Sequence, residues 1–299
     1  MRASSPDGAK TLRRLISKDG CTPVPGVFSP AVAILAAKAG FEAIYFSGAA
    51  FSGLLGLPDL GITTLTEVTG AVRQITSRVR LPLIVDVDTG FGEAVNVGRT
   101  VAEMERVDAA AIQVEDQVMP KRCGHLDGKQ LVSGEEMMKK IIAAKEASTR
   151  GLVIVARTDA ASVEGIDAAV ERARLYVKAG ADVIFPEALR SVSEFREFAR
   201  KVQAPLLANM TEFGKTDYIL VSEFEKLGYK LVLFPVTTFR VMMKSVQAAL
   251  GELAARGTQK GLLRKMMDRS EFYDLIGYRA YEAVDDRTAR KARKLLDID

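Results

Sequence analysis

Two aspartates at the end of an apolar run form the clearest metal-binding pattern in this chain of 299 residues. Asp86 and Asp88 are two residues apart, so on a β-strand they would face the same side. Two carboxylates on one side repel each other and are costly to bury unless a cation joins them. Oxygen ligands without a His or Cys cluster favour Mg²⁺ or Mn²⁺ over Zn²⁺, and Glu115 is a candidate third carboxylate. The simpler alternative for an isolated D-x-D pattern is a solvated turn.

A long polar connection, residues 117–132, contains the second candidate group. Its sequence KRCGH, from Lys121 to His125, holds the only His and one of the two Cys of the chain. Connections of this length are uncommon in compact domains and often form lids. We expect the two cations and the histidine to lower the pKa of the Cys123 thiol, which would act as a nucleophile or a proton donor. The alternative is that Cys123 is a small buried apolar residue.

Three further polar residues stand in apolar surroundings. Arg157 lies on an otherwise apolar run, and a buried guanidinium requires an anion from the protein or from a substrate. Tyr45 is either a packing residue or a base. The connection 48–62 is Gly-rich and mostly apolar. Two interpretations stay open: its apolar residues simply cover the barrel mouth, or its Asp59 hydrogen-bonds a metal-bound water.

The elements that would position these residues alternate along the chain. Eight short apolar runs are separated by longer amphipathic segments, which is typical of a parallel sheet buried on both faces. The predicted strands are 26–29, 43–47, 83–88, 110–115, 152–159, 182–187, 206–211 and 230–236. Helix starts are indicated by a Ser–Pro pair and by capping boxes, and helix ends by glycines. These signals are Ser29-Pro30, Thr64 with Glu67, Ser133 with Glu136, Ser191 with Glu194, Gly40, Gly180 and Gly228.

The alternation predicts an α/β fold, a (β/α)8 barrel of the TIM type. The rival is a doubly wound sheet, which usually carries a Gly-rich phosphate turn, and this sequence has neither G-x-G-x-x-G nor a Walker A motif. We expect residues 1–257 to form the barrel and 258–299 a helical extension of the same domain. The polar candidates follow the predicted strands, at the end where barrel enzymes place their active sites.

Composition excludes several other classes of protein. The chain is 48% hydrophobic and 27% charged, which is ordinary for a globular protein. Its 42 basic and 38 acidic residues are interleaved and give a net charge of +4, so the clustered basic stripe of a nucleic-acid-binding protein is absent. No apolar run approaches the ~18 residues that span a bilayer. Two cysteines and a polar N-terminal stretch favour a cytoplasmic protein.

The motifs together resemble the isocitrate lyase/phosphoenolpyruvate mutase superfamily over nearly the whole chain, most closely its members that cleave 2-methylisocitrate. The residues that carry the resemblance are Ser47-Gly48-Ala49, Leu57-Pro58-Asp59-Leu60-Gly61, Asp86-Val87-Asp88-Thr89-Gly90-Phe91-Gly92, Val114-Glu115-Asp116-Gln117, Lys121-Arg122-Cys123-Gly124-His125, Ala156-Arg157-Thr158-Asp159 and Asn209-Met210-Thr211-Glu212-Phe213-Gly214. The KRCGH segment marks the lyase branch. Ala49 and Met210 depart from the usual pattern, where relatives often have Gly and a β-branched residue.

The resemblance implies a site and an assembly. It implies Mg²⁺ at Asp86 and Asp88, with Asp59 and Glu115 around it, and a homotetramer in which the last helix is exchanged between subunits. It implies catalytic roles for Cys123, Tyr45, Lys121, His125 and Arg157. The implied substrate contacts come from Ser47, Gly48, Ala49, Cys123, Gly124, Arg157, Glu187, Asn209, Met210, Thr211, Arg240 and Arg269.

The implied reaction is a retro-aldol cleavage of 2-methylisocitrate, a tricarboxylate, to pyruvate and succinate in propionate catabolism through the methylcitrate cycle. Isocitrate and 2,3-dimethylmalate are alternative substrates on the same scaffold. We predict that Phe185 and Pro235 form an apolar pocket for the substrate methyl group. A hypothesis of another class is a non-catalytic barrel that binds acidic metabolites or RNA.

Overall fold

The computed structural model of the chain describes residues 7–296. Within them the backbone forms eight β-strands, thirteen α-helices and one short 3₁₀-helix at Lys260–Lys265. The strands are β1 (Thr22–Val27), β2 (Ile44–Phe46), β3 (Leu83–Asp86), β4 (Ala111–Glu115), β5 (Val153–Thr158), β6 (Val183–Pro186), β7 (Leu207–Asn209) and β8 (Leu231–Phe234). The helices are α1 (Gly8–Ser17), α2 (Pro30–Lys38), α3 (Gly48–Leu54), α4 (Leu65–Thr76), α5 (Ala94–Arg106), α6 (Gly134–Ala147), α7 (Ala160–Val163), α8 (Ile166–Lys178), α9 (Val192–Lys201), α10 (Val221–Lys226), α11 (Thr237–Arg256), α12 (Arg269–Ile276) and α13 (Tyr278–Leu295).

The strands pair in the order β6-β5-β4-β3-β2-β1-β8-β7, and every pair is parallel. A single parallel bridge between Ile184 and Leu206 joins the two outer strands, so the sheet closes almost completely into a barrel. Because all the strands run in one direction, their carboxyl ends meet at one rim. The prediction of a TIM-type (β/α)8 barrel is confirmed.

Capping groups set the helix starts much as the sequence predicts. The capping boxes of α4 and α6 are both complete. Ser191 caps α9, but Glu194 turns its carboxylate to the backbone N–H of Arg190, so this box is only half formed. Gly40, Gly180 and Gly228 all follow helices and all have positive φ, as predicted.

Two segments differ from the prediction. Half of the expected 48–62 loop is the helix α3, which Ser47 caps by accepting a hydrogen bond from the Ala50 N–H. Strand β1 begins at Thr22, four residues before the predicted start, despite prolines at positions 23 and 25. Pairing of β1 with β2 begins only at Gly26, so neither proline interrupts that ladder.

Helix α1 closes the barrel at the end opposite the polar rim. Its residue Gly8 lies against Ala110, just before β4, and its apolar face enters the cluster that fills the barrel interior. Leu12 is fully buried there, with Leu15 and Ile16 beside it. A second, larger apolar cluster lies between the strands and the surrounding helices. Two continuous layers of core therefore hold the strand ends that carry the polar residues.

The chain divides into two compact units, Met1–Arg240 and Val241–Asp299. The division falls inside α11, whereas the sequence places the end of the barrel at 257; that domain limit stays a prediction. The second unit contains the rest of α11, the 3₁₀-helix, α12 and α13. Among residues 7–296, none of the helices combines the length and the apolar character needed to cross a membrane.

Candidate active site

A cavity opens at the carboxyl ends of the barrel strands. Its walls bring together fourteen of the predicted site residues, from eight different segments of the chain. These are Tyr45, Ser47, Ala49, Asp59, Asp86, Lys121, Cys123, Gly124, His125, Arg157, Glu187, Asn209, Thr211 and Arg240. A concave site with converging polar groups is typical of a small-molecule binding site.

The two aspartates of the predicted metal site lie together, but not for the reason given by the sequence pattern. Strand β3 ends at Asp86, and Asp88 has a left-handed backbone with φ of 48°. The expectation that both share one face of a strand is therefore wrong. The backbone instead turns back, so that the Asp88 N–H donates a hydrogen bond to Asp86 Oδ1 at 3.2 Å. The Gly48 N–H donates to the other oxygen at 3.2 Å.

Lys121 reaches from the 117–132 loop towards four carboxylates, which we call the acidic group: Asp59, Asp86, Asp88 and Glu115. Its ammonium lies 2.9 Å from Asp88 Oδ1 and bonds the carboxylate of Asp59. Burial disfavours the charged amine, but Asp88, Glu115 and Asp59 outweigh that effect and raise the pKa of Lys121 well above its usual value. Lys121 is thus a permanent cation beside the predicted metal ligands, and it connects the loop to the acidic group.

Arg157, on β5, is the central cation of the opposite wall. Its guanidinium donates to Asp159 through Nε at 2.9 Å and through a terminal nitrogen at 3.1 Å. Its other terminal nitrogen lies 3.4 Å from both Glu115 and Glu187. The sequence predicts that a buried arginine needs an anion, and here three carboxylates hold one guanidinium in place.

Glu187 links Arg157 to the loop. His125 Nε2 lies 3.1 Å from Glu187 Oε1, and Asn209 donates to both carboxylate oxygens at 3.3 and 3.1 Å. Burial alone would raise the pKa of Glu187, but Arg157 and His125 outweigh it and lower that pKa to about 2. His125 Nδ1 accepts a hydrogen bond from the Lys215 N–H, so the imidazole proton belongs on Nε2, facing the carboxylate.

The environment of Cys123 corrects one prediction. Burial, reinforced by Glu187, raises the pKa of the thiol, whereas the sequence predicts that its basic neighbours lower it. Lys121 points to Asp59 and Asp88, and the Arg122 guanidinium donates to the carbonyl of Asp127. Cys123 is therefore a neutral thiol in the cavity wall, suited to give a proton rather than to attack as a thiolate.

The close approach of the 117–132 loop depends on a glycine. A Cβ on Gly124 would lie 2.4 Å from Glu187 and 2.5 Å from Arg157, distances that no side chain can occupy. The loop is tied at its base by an antiparallel bridge between Gln117 and Leu131. Its Cys123, Gly124 and His125 consequently form one wall of the cavity.

Tyr45 donates its hydroxyl hydrogen to Gln113 Oε1 at 2.6 Å. Burial, and then the nearby Asp86 carboxylate, raise the pKa of this phenol well above its ordinary value. The protonated phenol is a hydrogen-bond donor, which favours a carboxylate over Tyr45 as the base.

The remaining predicted site residues differ in where they lie relative to the cavity. Glu115 is buried behind Arg157, and Met210 is buried in the core, where its sulfur accepts a hydrogen bond from the Ile219 N–H. Arg240 lies over the Phe213 ring at 5.4 Å and 3.6 Å from Glu212. Arg269 is exposed at the start of α12 in the second unit, and its substrate contact stays a prediction.

Three polar residues of the site are given no role by the sequence analysis, although Asp159 belongs to one of the motifs. Gln113 holds Tyr45, Asp159 holds Arg157, and Lys129 joins the loop to Asp159 at 3.0 Å. Asp159 follows β5 two residues after Arg157, so strand spacing could have paired them. Lys129 gave no signal, because a lysine in a polar loop is ordinarily solvated.

The acidic group suits a hard divalent cation. Burial and the Asp88 charge raise the pKa of Asp86 to about 6, and burial raises that of Glu115. Glu115 Oε1 is buried without a hydrogen-bond partner among residues 7–296. In the same part of the chain no three His, Cys, Asp or Glu side chains form a ready ligand cluster. An ion here would therefore keep water or substrate oxygens as ligands, as Mg²⁺ commonly does.

Fold and site together define a barrel enzyme with a cavity for a small molecule. A family model described as phosphoenolpyruvate phosphomutase matches residues 12–254. The 2-methylisocitrate lyase of Aeropyrum pernix is 62% identical over 285 residues, which is 95% of this chain and 92% of that protein. The chain belongs to the phosphoenolpyruvate mutase/isocitrate lyase superfamily, as its motifs predict.

Solved structures agree with this assignment. The structure of 2,3-dimethylmalate lyase matches with a TM-score of 0.87 and 34% identity over 94% of this chain and 95% of that one. Phosphonopyruvate hydrolase, in complex with oxalate and Mg²⁺, matches with a TM-score of 0.85 and 28% identity over 94% and 98%. The prediction that the chain is an enzyme is confirmed, against the hypothesis of a non-catalytic barrel.

Proposed function

We propose that the protein is a Mg²⁺-dependent carbon–carbon lyase that cleaves 2-methylisocitrate to pyruvate and succinate. The observation that carries the proposal is the position of the neutral Cys123 thiol, on a loop folded over a cavity whose other walls hold Asp86, Arg157 and Asn209. High identity to a 2-methylisocitrate lyase over nearly all of the chain supports this choice of substrate.

Binding of a tricarboxylate needs several cations and donors. Arg157 and Arg240 offer guanidinium groups to substrate carboxylates. The Asn209 amide nitrogen donates to Glu187, and its Oδ1, buried without a partner among the described residues, is an acceptor for the substrate hydroxyl. Phe185 lies under the Arg157 guanidinium at 5.2 Å, and Pro235 lines the same cavity. These two residues provide an apolar wall for the methyl group, which isocitrate lacks.

Cleavage requires one proton to leave the substrate hydroxyl and another to arrive at carbon. A carboxylate of the acidic group takes the hydroxyl proton. The carbon–carbon bond then breaks to give pyruvate, and the electron pair of that bond stays on the carbon that becomes part of succinate. The Cys123 S–H gives its proton to that carbon, and the thiolate is then reprotonated with the proton taken at the start. Arg157 and Asn209 stabilise the charge that develops on the carboxylate oxygens.

Asp86 and Asp88 would hold the Mg²⁺, with Asp59 and Glu115 around them. The ion, when bound, supplies a Lewis acid that lowers the pKa of the substrate hydroxyl. Lys121 keeps Asp59 and Asp88 in place, and His125 fixes the loop against Glu187. The folded loop excludes water from the reacting carbon. The same proposal includes a cytoplasmic homotetramer with exchanged helices, working in the methylcitrate cycle.

Product analysis tests the proposal. The purified protein is incubated with Mg²⁺ and, separately, with 2-methylisocitrate, isocitrate and 2,3-dimethylmalate, and pyruvate and glyoxylate are quantified. We expect pyruvate from 2-methylisocitrate at a far higher kcat/KM than any product from the others. A preference for isocitrate or 2,3-dimethylmalate would keep the mechanism and replace the substrate, whereas no product from any of them would overturn the proposal.

Metal dependence has its own test. We expect EDTA to abolish turnover and Mg²⁺ or Mn²⁺ to restore it, because the acidic group offers only oxygen ligands. Asp86→Asn should lower the affinity for Mn²⁺, measured by electron paramagnetic resonance, whereas Asp127→Asn, on the exposed side of the loop, should leave it unchanged. Full activity of the metal-free protein would refute the assignment.

A further inference from the structure

A buried lysine of the 117–132 loop contacts both halves of the proposed machinery. Lys129 lies between the KRCGH segment and Leu131, which forms the bridge to Gln117 at the base of the loop. Its side chain is only 1% exposed. Its ammonium donates to Asp159 Oδ1 at 3.0 Å and also to the carbonyl oxygen of Gly124. A loop lysine normally keeps its charge in water, so burying it requires compensation by an anion.

The two acceptors have different roles. Gly124 follows Cys123 directly, so a bond to its carbonyl fixes the backbone next to the thiol. Asp159 is fully buried and holds Arg157 through two hydrogen bonds. The backbone N–H of Asp159 is in turn bound by Asp116, which leaves Asp159 little freedom to turn away. One ammonium thus connects the residue that gives the proton to the residue that binds the substrate.

We infer that Lys129 is a positioning residue that couples closure of the 117–132 loop to the orientation of Arg157. When the loop closes, the ammonium enters between Gly124 and Asp159, and the thiol and the guanidinium reach their working positions together. When the loop opens, Lys129 leaves Asp159, which then has Arg157 as its remaining cation. The inference can be tested by alkylation and by kinetics, and only the kinetic test rests on the proposed function.

The test compares Lys129→Met with Lys215→Met in a Cys21→Ser background, where Cys123 is the single thiol. Lys215 is a matched control, because its ammonium also bonds a carboxylate of the loop, Asp127, but that carboxylate is exposed. The first readout is the rate of Cys123 alkylation by iodoacetamide, followed by mass spectrometry. We expect Lys129→Met to react about tenfold faster than the control, because its loop opens more often.

The second readout is kinetic. Loss of one partner of a buried charge pair is expected to reduce kcat for 2-methylisocitrate by about 100-fold, with a smaller rise in KM. Lys129→Arg keeps the charge and should recover part of both losses. If Lys129→Met does not fold, Lys129→Gln, which keeps a donor of similar length, is measured in the same two ways.

Two results would overturn the inference. One is alkylation of Cys123 at the control rate in the folded Lys129 variants, with lowered thermal stability only, which is what a purely structural charge pair predicts. The other is an unchanged kcat and KM. Alkylation needs no substrate, so a faster rate in a protein that cleaves none of the three acids would refute the proposed function and support the coupling.

Discussion

At the scale of single residues, the chemistry depends on which groups are charged when the loop is closed. The Cys123 thiol is neutral and Lys121 is cationic, although both belong to the same KRCGH segment. The difference lies in what each side chain meets. Lys121 contacts carboxylates, whereas Cys123 is half-buried near Glu187. A proton donor and a fixed cation can therefore occupy neighbouring positions of one short loop.

We expect Cys123→Ser to fold normally, to bind Mn²⁺ with unchanged affinity and to lose about 10²- to 10⁴-fold in kcat, the range of a lost general acid. A serine hydroxyl has the same shape but is a much weaker acid. Steady-state assays, with unfolding midpoints as the control for folding, measure the effect. An equally active serine variant would remove the thiol from the mechanism.

Glu187 makes a pH-dependent contribution to stability. Its pKa is about 2 in the folded protein, below the ordinary 4.5, so the charged form is favoured by folding. The stabilisation is complete above the unfolded pKa and is lost as the pH falls from about 4.5 towards 2. We expect Glu187→Gln to lower the free energy of unfolding by up to about 3 kcal/mol at neutral pH.

Urea unfolding at neutral pH and at about pH 3 measures this contribution, and the difference between variant and wild type should shrink at the lower pH. Glu42→Gln is the control, because Glu42 pairs with Lys18 on the surface, where such pairs contribute at most ~1 kcal/mol. A deficit that is equally large at both pH values would show that the carboxylate charge is not its cause.

At the scale of elements, the sequence predicts those parts that local patterns determine. Seven of the eight strands start within a residue of their predicted position, because continuous apolar runs bounded by caps and glycines leave few alternatives. The exceptions come from tertiary structure. The α3 helix contains Gly48 and Gly53, which local propensity disfavours. Strand β1 starts among prolines, which are tolerated because its pairing with β2 begins only at Gly26.

The candidate site also contains residues that local sequence patterns predict and residues whose positions depend on tertiary structure. The barrel pattern places the strand-end residues at one rim, so Asp86, Arg157 and Asn209 could be predicted from spacing. The burial of Cys123 and the pairing of Lys129 with Asp159 depend on how the loop folds back, and no local pattern encodes that path. The raised thiol pKa and the missed lysine have this one cause.

Helix α1 provides a test of how far stability and catalysis are separate. Leu12 is fully buried at the amino end of the barrel, with the site at the opposite rim. We expect Leu12→Ala to reduce the free energy of unfolding by about 2–5 kcal/mol and to leave kcat unchanged at temperatures where the variant stays folded. Leu35→Ala, at a half-exposed position of α2, should cost far less. A parallel loss of kcat would show that the interior transmits strain to the rim.

At the scale of the whole molecule, the second unit exposes apolar side chains on its surface. Within the described residues, α11 and α13 bury none of their side chains, and large apolar residues of this unit are open to solvent. Leu250 is 60% and Leu295 77% exposed. An apolar surface of this extent is more typical of an interface than of a monomer. The homotetramer is the proposed assembly for it.

The oligomer can be tested by charging this surface. We expect sedimentation velocity to give a mass of about four chains for the wild type and a smaller species for Leu250→Asp, because a carboxylate buried between subunits would be costly. Val95→Asp, at an 87% exposed position of α5 in the first unit, is the matched control and should leave the mass unchanged. The wild type sedimenting as a monomer would refute the tetramer.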